Sequence, residues 1–200
     1  MSETEYALGF HCGITFAGLK AASLFWIRRD QTAALRYYAR CFAGKDFRFT
    51  VLREQDKKLL IYVFHRPRLR AILEDGANRR FLSGCGYAYS DIESAVDELK
   101  KRLEGEEKFP HEIGIFLGYP LEDVAGFMRD PCKGVCLSGY WKVYADPDGK
   151  AKIFERYRRC SCCICRKLTE GTPLTAIFKT ETSKKEDSED DHDRVLVGNG

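Results

Sequence analysis

Two β-prone runs, Phe47 to Arg53 and Lys58 to His65, flank the polar tetrapeptide Glu54-Gln55-Asp56-Lys57. No other feature constrains the fold as much, because a link of four residues is hairpin length and makes the runs antiparallel neighbours. Upstream, Ser23 to Ile27 is short, apolar and β-prone, and Thr32 to Lys45 places Leu35, Tyr38, Ala39 and Phe42 at helical spacing. Downstream, Pro67 stops the second run and suits the first turn of a helix carrying Leu69, Ile72 and Leu73. Helix and strand patterns therefore alternate around the hairpin.

The second half continues the alternation. Ser90-Asp91-Ile92-Glu93 has capping-box spacing, and Ile92, Val96, Leu99 and Leu103 form one helical stripe behind it. His111 to Tyr119 is apolar through its middle without alternation, the pattern of a central strand covered on both faces. Pro120 opens a further helix, with Glu122 and Asp123 at the positive end of its dipole. Tyr140 to Tyr144 reads as a strand, with Tyr140, Lys142 and Tyr144 on one face, and Asp146-Pro147 caps a long helix through about Leu168. Pro173 to Phe178 reads as a last strand. The order β-α-β-β-α-α-β-α-β-α-β predicts the α/β class: a single-domain sandwich with a mixed, mostly central sheet flanked by helices. No internal repeat is present.

A chain of 200 residues with 44% hydrophobic content can bury one sizeable core. The domain is expected over residues 1–179. From Thr180 to Gly200, seven acids and three bases with almost no apolar residues before Val195 predict a disordered acidic tail of net charge −4 over residues 180–200, leaving about +7 on the rest. No run of eighteen apolar residues occurs, and the start MSETEYALGF has neither a basic nor an apolar export region. The expectation is a cytoplasmic protein with no membrane partner. Nine cysteines in that compartment are read as thiols or metal ligands before disulfides.

Three segments, FAGLKAASLF from Phe16, HEIGIFLGYPLEDVAGF from His111 and GYWKVYAD from Gly139, resemble a family of small cytosolic proteins from anaerobic bacteria defined as a domain of unknown function. The resemblance spans about residues 11–170, and the middle segment is its most specific part. It implies no activity, cofactor or catalytic residue.

The densest chemistry is Arg159-Cys160-Ser161-Cys162-Cys163-Ile164-Cys165-Arg166. On a regular helix Cys160 and Cys163 point one way and Cys162 and Cys165 another, too divergent for one mononuclear site. Cys132 and Cys136, in a glycine-containing loop upstream, supply two more thiols. Cys132, Cys136 and two of the helical four would make a site for zinc, copper or an iron–sulfur cluster, with a redox protein as partner. Arg158, Arg159, Arg166 and Lys167 would favour the thiolate form. The same letters also read as packing, since Ile153, Tyr157, Cys160, Ile164 and Leu168 share one stripe.

Two other constellations carry polar chemistry. His11-Cys12 with His111-Glu112 offers a thiol and a base on different elements. The corner Leu117-Gly118-Tyr119-Pro120, with a loop from His11 to Lys20 facing it, would hold an anionic small molecule through His11, Lys20, Gly118 and Tyr119. A binding or accessory protein with a cysteine-rich metal- or redox-related site is the leading reading. A small enzyme acting on an anionic small molecule is the alternative. Nucleic-acid binding through the basic stretch Lys150 to Lys167 ranks last, because no stacking motif or recognition helix accompanies it.

Overall fold

A computed structural model describes residues 1–105 and 109–180. In chain order, α1 (Glu3–Phe16) leads to β1 (Ala22–Arg28), α2 (Thr32–Ala43), the hairpin of β2 (Phe47–Gln55) and β3 (Lys58–His65), and helices α3 (Arg66–Glu74), α4 (Gly76–Gly84), α5 (Ile92–Gly105), α6 (Ile113–Phe116) and α7 (Leu121–Arg129). A ribbon of two short strands, β4 (Leu137–Ser138) and β5 (Lys142–Val143), then precedes α8 (Pro147–Thr169) and α9 (Leu174–Ile177).

The hairpin forms, but Glu54 and Gln55 complete β2, so the expected four-residue link shortens to Asp56 and Lys57, both at positive φ, and β1 joins on the β3 side in the order β1-β3-β2. Both pairings are antiparallel, with Phe25 opposite Ile61 and Phe49 opposite Val63. Successive side chains of a strand point to opposite faces, so the central strand feeds two cores. Leu60, Tyr62 and Phe64 face Leu69, Leu82, Leu99 and Phe116 of the helices from α3 to α6. Leu59, Ile61 and Val63 face Leu8, Leu35, Phe42, Ile164 and Leu168 of α1, α2 and α8. A strand buried on both sides shows no alternation, hence the run Leu-Leu-Ile-Tyr-Val-Phe.

The expected mixed sheet is corrected to these antiparallel pairings, because three of the segments read as strands contribute none to it. His111 to Tyr119 contains α6, one helical turn in which Ile113, Ile115 and Phe116 are all buried. A short apolar run covered on every side has the same letters in either conformation. Pro173 to Phe178 contains α9, pinned where Leu174 N–H donates to Glu5 Oε1 at 2.8 Å. Tyr140 to Tyr144 keeps two strand residues in the ribbon. The cap of α5 also shifts by one residue. Ser94 N–H donates to Asp91 Oδ1 at 2.7 Å while Ser94 Oγ accepts from the Asp91 amide at 3.1 Å. The acidic tail beyond Thr180 lies outside the described residues.

The largest departure is α1, whose second half occupies the stretch expected to be a loop. Gly9 and Gly13 suggest a break, yet here they let two helices approach. A Cβ on Gly9 would collide with Leu168 Cδ1, and one on Gly13 would sit 2.8 Å from Ile164 Cδ1. Alanine at an open helical position gains up to about 1 kcal/mol over glycine. Overpacking a close interface costs about 1–3 kcal/mol, so the second effect wins. Gly9→Ala is expected to lower the melting temperature, whereas Gly84→Ala, with nothing within 4 Å of its new Cβ, is expected to leave it unchanged or raise it.

Candidate functional site

The ribbon between α7 and α8 is tied down by one carboxylate. Asp123, 1% exposed, accepts from Trp141 Nε1–H at 2.7 Å through Oδ2 and from the Tyr144 amide at 2.7 Å through Oδ1. One turn further along α7, Gly126 has no side chain where the Tyr144 ring lies, since a Cβ there would overlap that ring. Tyr144 Oη then donates to Asp130 O at 3.0 Å. Asp123 was expected to serve the helix dipole, and its larger role is to fix Trp141.

Trp141 so placed forms one wall of a cavity of 420 Å³. Its ring stacks on Tyr119, with centroids 4.9 Å apart and planes 26° from parallel, and meets Phe154 edge-on at 4.6 Å. Opposite stand Phe109, His111 and Phe127, with His111 edge-on to Phe127 at 4.9 Å. Lys142 lies at the rim, its Nζ 5.7 Å from the Phe127 centroid and donating to Pro131 O at 2.8 Å. The volume suits a small organic ligand, and aromatic walls with a few polar groups are the usual make-up of such pockets. The ribbon tip, Ser138 to Tyr140, separates this cavity from a groove of 490 Å³ along Ala151, Phe154 and Arg158 of α8.

Tyr119 also belongs to a second cluster. Lys20 Nζ stands 5.0 Å from its ring centroid, and Tyr119 Oη reaches Tyr140 O at 3.4 Å. Gly118, with φ of +77°, turns the chain between α6 and Tyr119 and brings it against Ala21. Behind Lys20 lie buried Cys12, Thr15 and Ser23, the last two joined by a 2.8 Å hydroxyl–hydroxyl bond. Burial pushes the Lys20 ammonium down to about 8, against an opposing pull from Cys12. Burial raises the Cys12 thiol, so it is no activated nucleophile.

The pattern of one family, described as Protein of unknown function (DUF3793), matches residues 8–178. The chain belongs to that family. No curated protein and no solved structure matches it. The DUF3793 span contains every residue that lines the cavity.

The other expected site residues are dispersed. His11 is exposed, stacked on Phe25 at 5.0 Å and edge-on to Phe10, and does not line the cavity. Glu112 is buried beside Arg102, 3.7 Å away, and of the His11-Cys12 and His111-Glu112 pairs His111 alone lines the cavity. Cys132 and Cys136 sit exposed in the loop before β4, while Cys160, Cys162, Cys163 and Cys165 ride on α8. Among the described residues no group of three or more His, Cys, Asp or Glu side chains is placed to hold a metal ion. The arginines expected to favour thiolates have acid partners of their own. Arg158 and Arg159 bind Glu155 at 2.8 and 2.6 Å, and burial raises Cys160 and Cys165. Cys160 packs against the core that contains Ile164.

Of the residues that matter, Trp141, Phe109 and Phe127 are absent from the expected site residues, and Asp123 is expected only at a helix start. GYWKVY was read with Trp141 opposite Tyr140 and Lys142, as in a regular strand. In a ribbon of two residues per strand that alternation lapses, and all three line the cavity.

Proposed function

We propose that the protein is a cytoplasmic binding protein with an accessory role, taking a planar aromatic small molecule into the cavity between α6, α7 and the ribbon. The observation that carries this reading is the stacked Tyr119–Trp141 pair on a 420 Å³ cavity. Flat rings offer a planar ligand large contact area at little entropic cost. The Lys142 ammonium at the rim favours a ligand with an acidic substituent. Nine free thiols support the cytoplasmic setting. Helices offer no contrary signal, since among the described residues none is long and apolar enough to cross a membrane.

The test uses Trp141 as its own reporter. The chain has two tryptophans, so Trp26→Phe leaves Trp141 alone. Titration with a panel of planar aromatic carboxylates and phosphates is expected to reveal members that quench its emission and raise the melting temperature. Tyr119→Ala should remove both responses. A folded Trp26→Phe protein in which no panel member moves either signal overturns the proposal.

A further inference from the structure

Spread around α8, the four thiols still leave one pair facing outward. Cys160 and Cys163 share one side of the helix, where Cys160 packs against the core around Ile164. Cys162 and Cys165 share another, with Cys162 exposed and Cys165 half-buried. Both lie inside the unbroken helix Pro147–Thr169, and residues three apart on a helix hold their Cβ atoms about 5–6 Å from each other. A disulfide needs about 3.5–4.5 Å between Cβ atoms, so the helix would have to distort to close one. A single ion between the sulfurs asks for no such distortion, since two thiolate–metal bonds of about 2.3 Å span about 4.5 Å.

The same helical spacing sets the charge around the pair. Three and four residues from Cys162 stand Arg158, Arg159 and Arg166. Arg158 and Arg159 share the single carboxylate of Glu155, at 2.8 and 2.6 Å, and Arg166 has Glu170 at 4.0 Å. One positive charge is left in excess among these five side chains. We propose that Cys162 and Cys165 form a two-coordinate site for a monovalent copper ion on the outer face of α8. Zinc sites take at least three protein ligands and iron–sulfur clusters four, whereas among the described residues no third His, Cys, Asp or Glu side chain joins the pair. Monovalent copper is soft, selects thiolates, and is satisfied by two of them in line. On loading, two S–H bonds break and two S–Cu bonds form. One Cu(I) and two thiols give a bis-thiolate complex of charge −1 and two protons, with copper monovalent throughout, so neither oxidant nor reductant is needed. The surplus guanidinium charge offsets the −1 that the complex carries. Neither cysteine lines the aromatic cavity, so the fate of this site does not bear on the binding reading.

Cys132 and Cys136 are the other exposed thiols among the described residues, and the experiment removes them first. Cys132→Ser/Cys136→Ser protein is titrated without oxygen against the coloured Cu(I) complex of bicinchoninate, whose fading reports metal taken up by the protein. One equivalent of copper is expected to transfer. Cys162→Ser and Cys165→Ser in that background should each lose it, while Cys163→Ser should keep it. Because Cys162 is exposed, its serine variant should melt at the same temperature as the metal-free parent, which separates loss of a ligand from loss of the fold. X-ray absorption at the copper edge should show two sulfur neighbours. No transfer, transfer that survives Cys162→Ser or Cys165→Ser at unchanged affinity, or three sulfurs around the metal would overturn the site.

Discussion

Asp123→Ala is expected to destabilise the protein by about 3–5 kcal/mol, or to release the ribbon if the rest of the fold survives without it. The carboxylate is buried and receives the Trp141 indole N–H and the Tyr144 amide, each at 2.7 Å. Alanine leaves two donors buried without an acceptor, and each such loss to a charged partner costs about 1.5–3 kcal/mol. The stability of a ribbon with two residues per strand comes from its docking, since an isolated two-stranded hairpin is marginal in water. Two measurements separate the outcomes. Chemical denaturation reports the global loss, and in a Trp26→Phe background the Trp141 emission should shift to the red as the ring meets water. Asp123→Asn should fall between, because the amide retains one acceptor and turns its NH2 toward the other donor. An alanine variant with wild-type stability and unshifted emission would mean that the carboxylate does not hold the cavity wall.

Legibility in this chain followed the range of the contacts. The hairpin was readable because a short polar link between two β-prone runs is a local signal, α2 because Leu35, Tyr38, Ala39 and Phe42 recur at helical spacing, and α3, α7 and α8 because each has a proline at its start. The misread elements share another property. In α1 the glycines Gly9 and Gly13 exist for α8, more than 140 residues away, and no local pattern distinguishes a glycine of close approach from one that breaks a helix. In α6 every side of a short turn is covered, which erases periodicity. The sheet topology followed from those errors, since each segment wrongly read as a strand demanded a place in the sheet.

The candidate site was legible in part. Lys20, Gly118 and Tyr119 were singled out as a corner, and the structure brings Lys20 to Tyr119 with Gly118 turning the chain between α6 and that ring. Tyr157 was not associated with it, because its hydroxyl reaches Leu19 O from α8 and nothing in FERYRR announces that bond. The cysteines illustrate the reverse. Their density drew attention, but ligand geometry depends on convergence. The thiols of α8 spread around the helix as 3.6 residues per turn dictates.

Lys20→Met is expected to stabilise the protein by roughly 3 kcal/mol at neutral pH, an unusual sign for a part-buried residue. The wild-type ammonium is held down to about 8 by burial, against about 10.4 in the unfolded chain, and each pKa unit corresponds to 1.36 kcal/mol. Below pH 8 the amine is charged in both states, so the folded protein bears the full penalty of burying it. Between about 8 and 10.4 the folded amine sheds its proton while the unfolded one keeps it, the unfolded state binds more protons, and stability rises with pH. Cys12 opposes this trend. Its buried thiol stays protonated where the unfolded thiol ionises, so its contribution falls above about pH 8.5. The raw pH profile therefore mixes the two, and the informative quantity is the difference between Lys20→Met and wild type, which should be largest at pH 7 and shrink toward zero by about pH 10. Methionine matches the length of the apolar stem and brings no charge, so packing is retained. A variant less stable than wild type at pH 7, or a difference that does not vary with pH, would mean that the amine is well solvated. The predicted pattern would mean that the fold holds a costly charge beside Tyr119, and such local conflicts concentrate where a ligand resolves them.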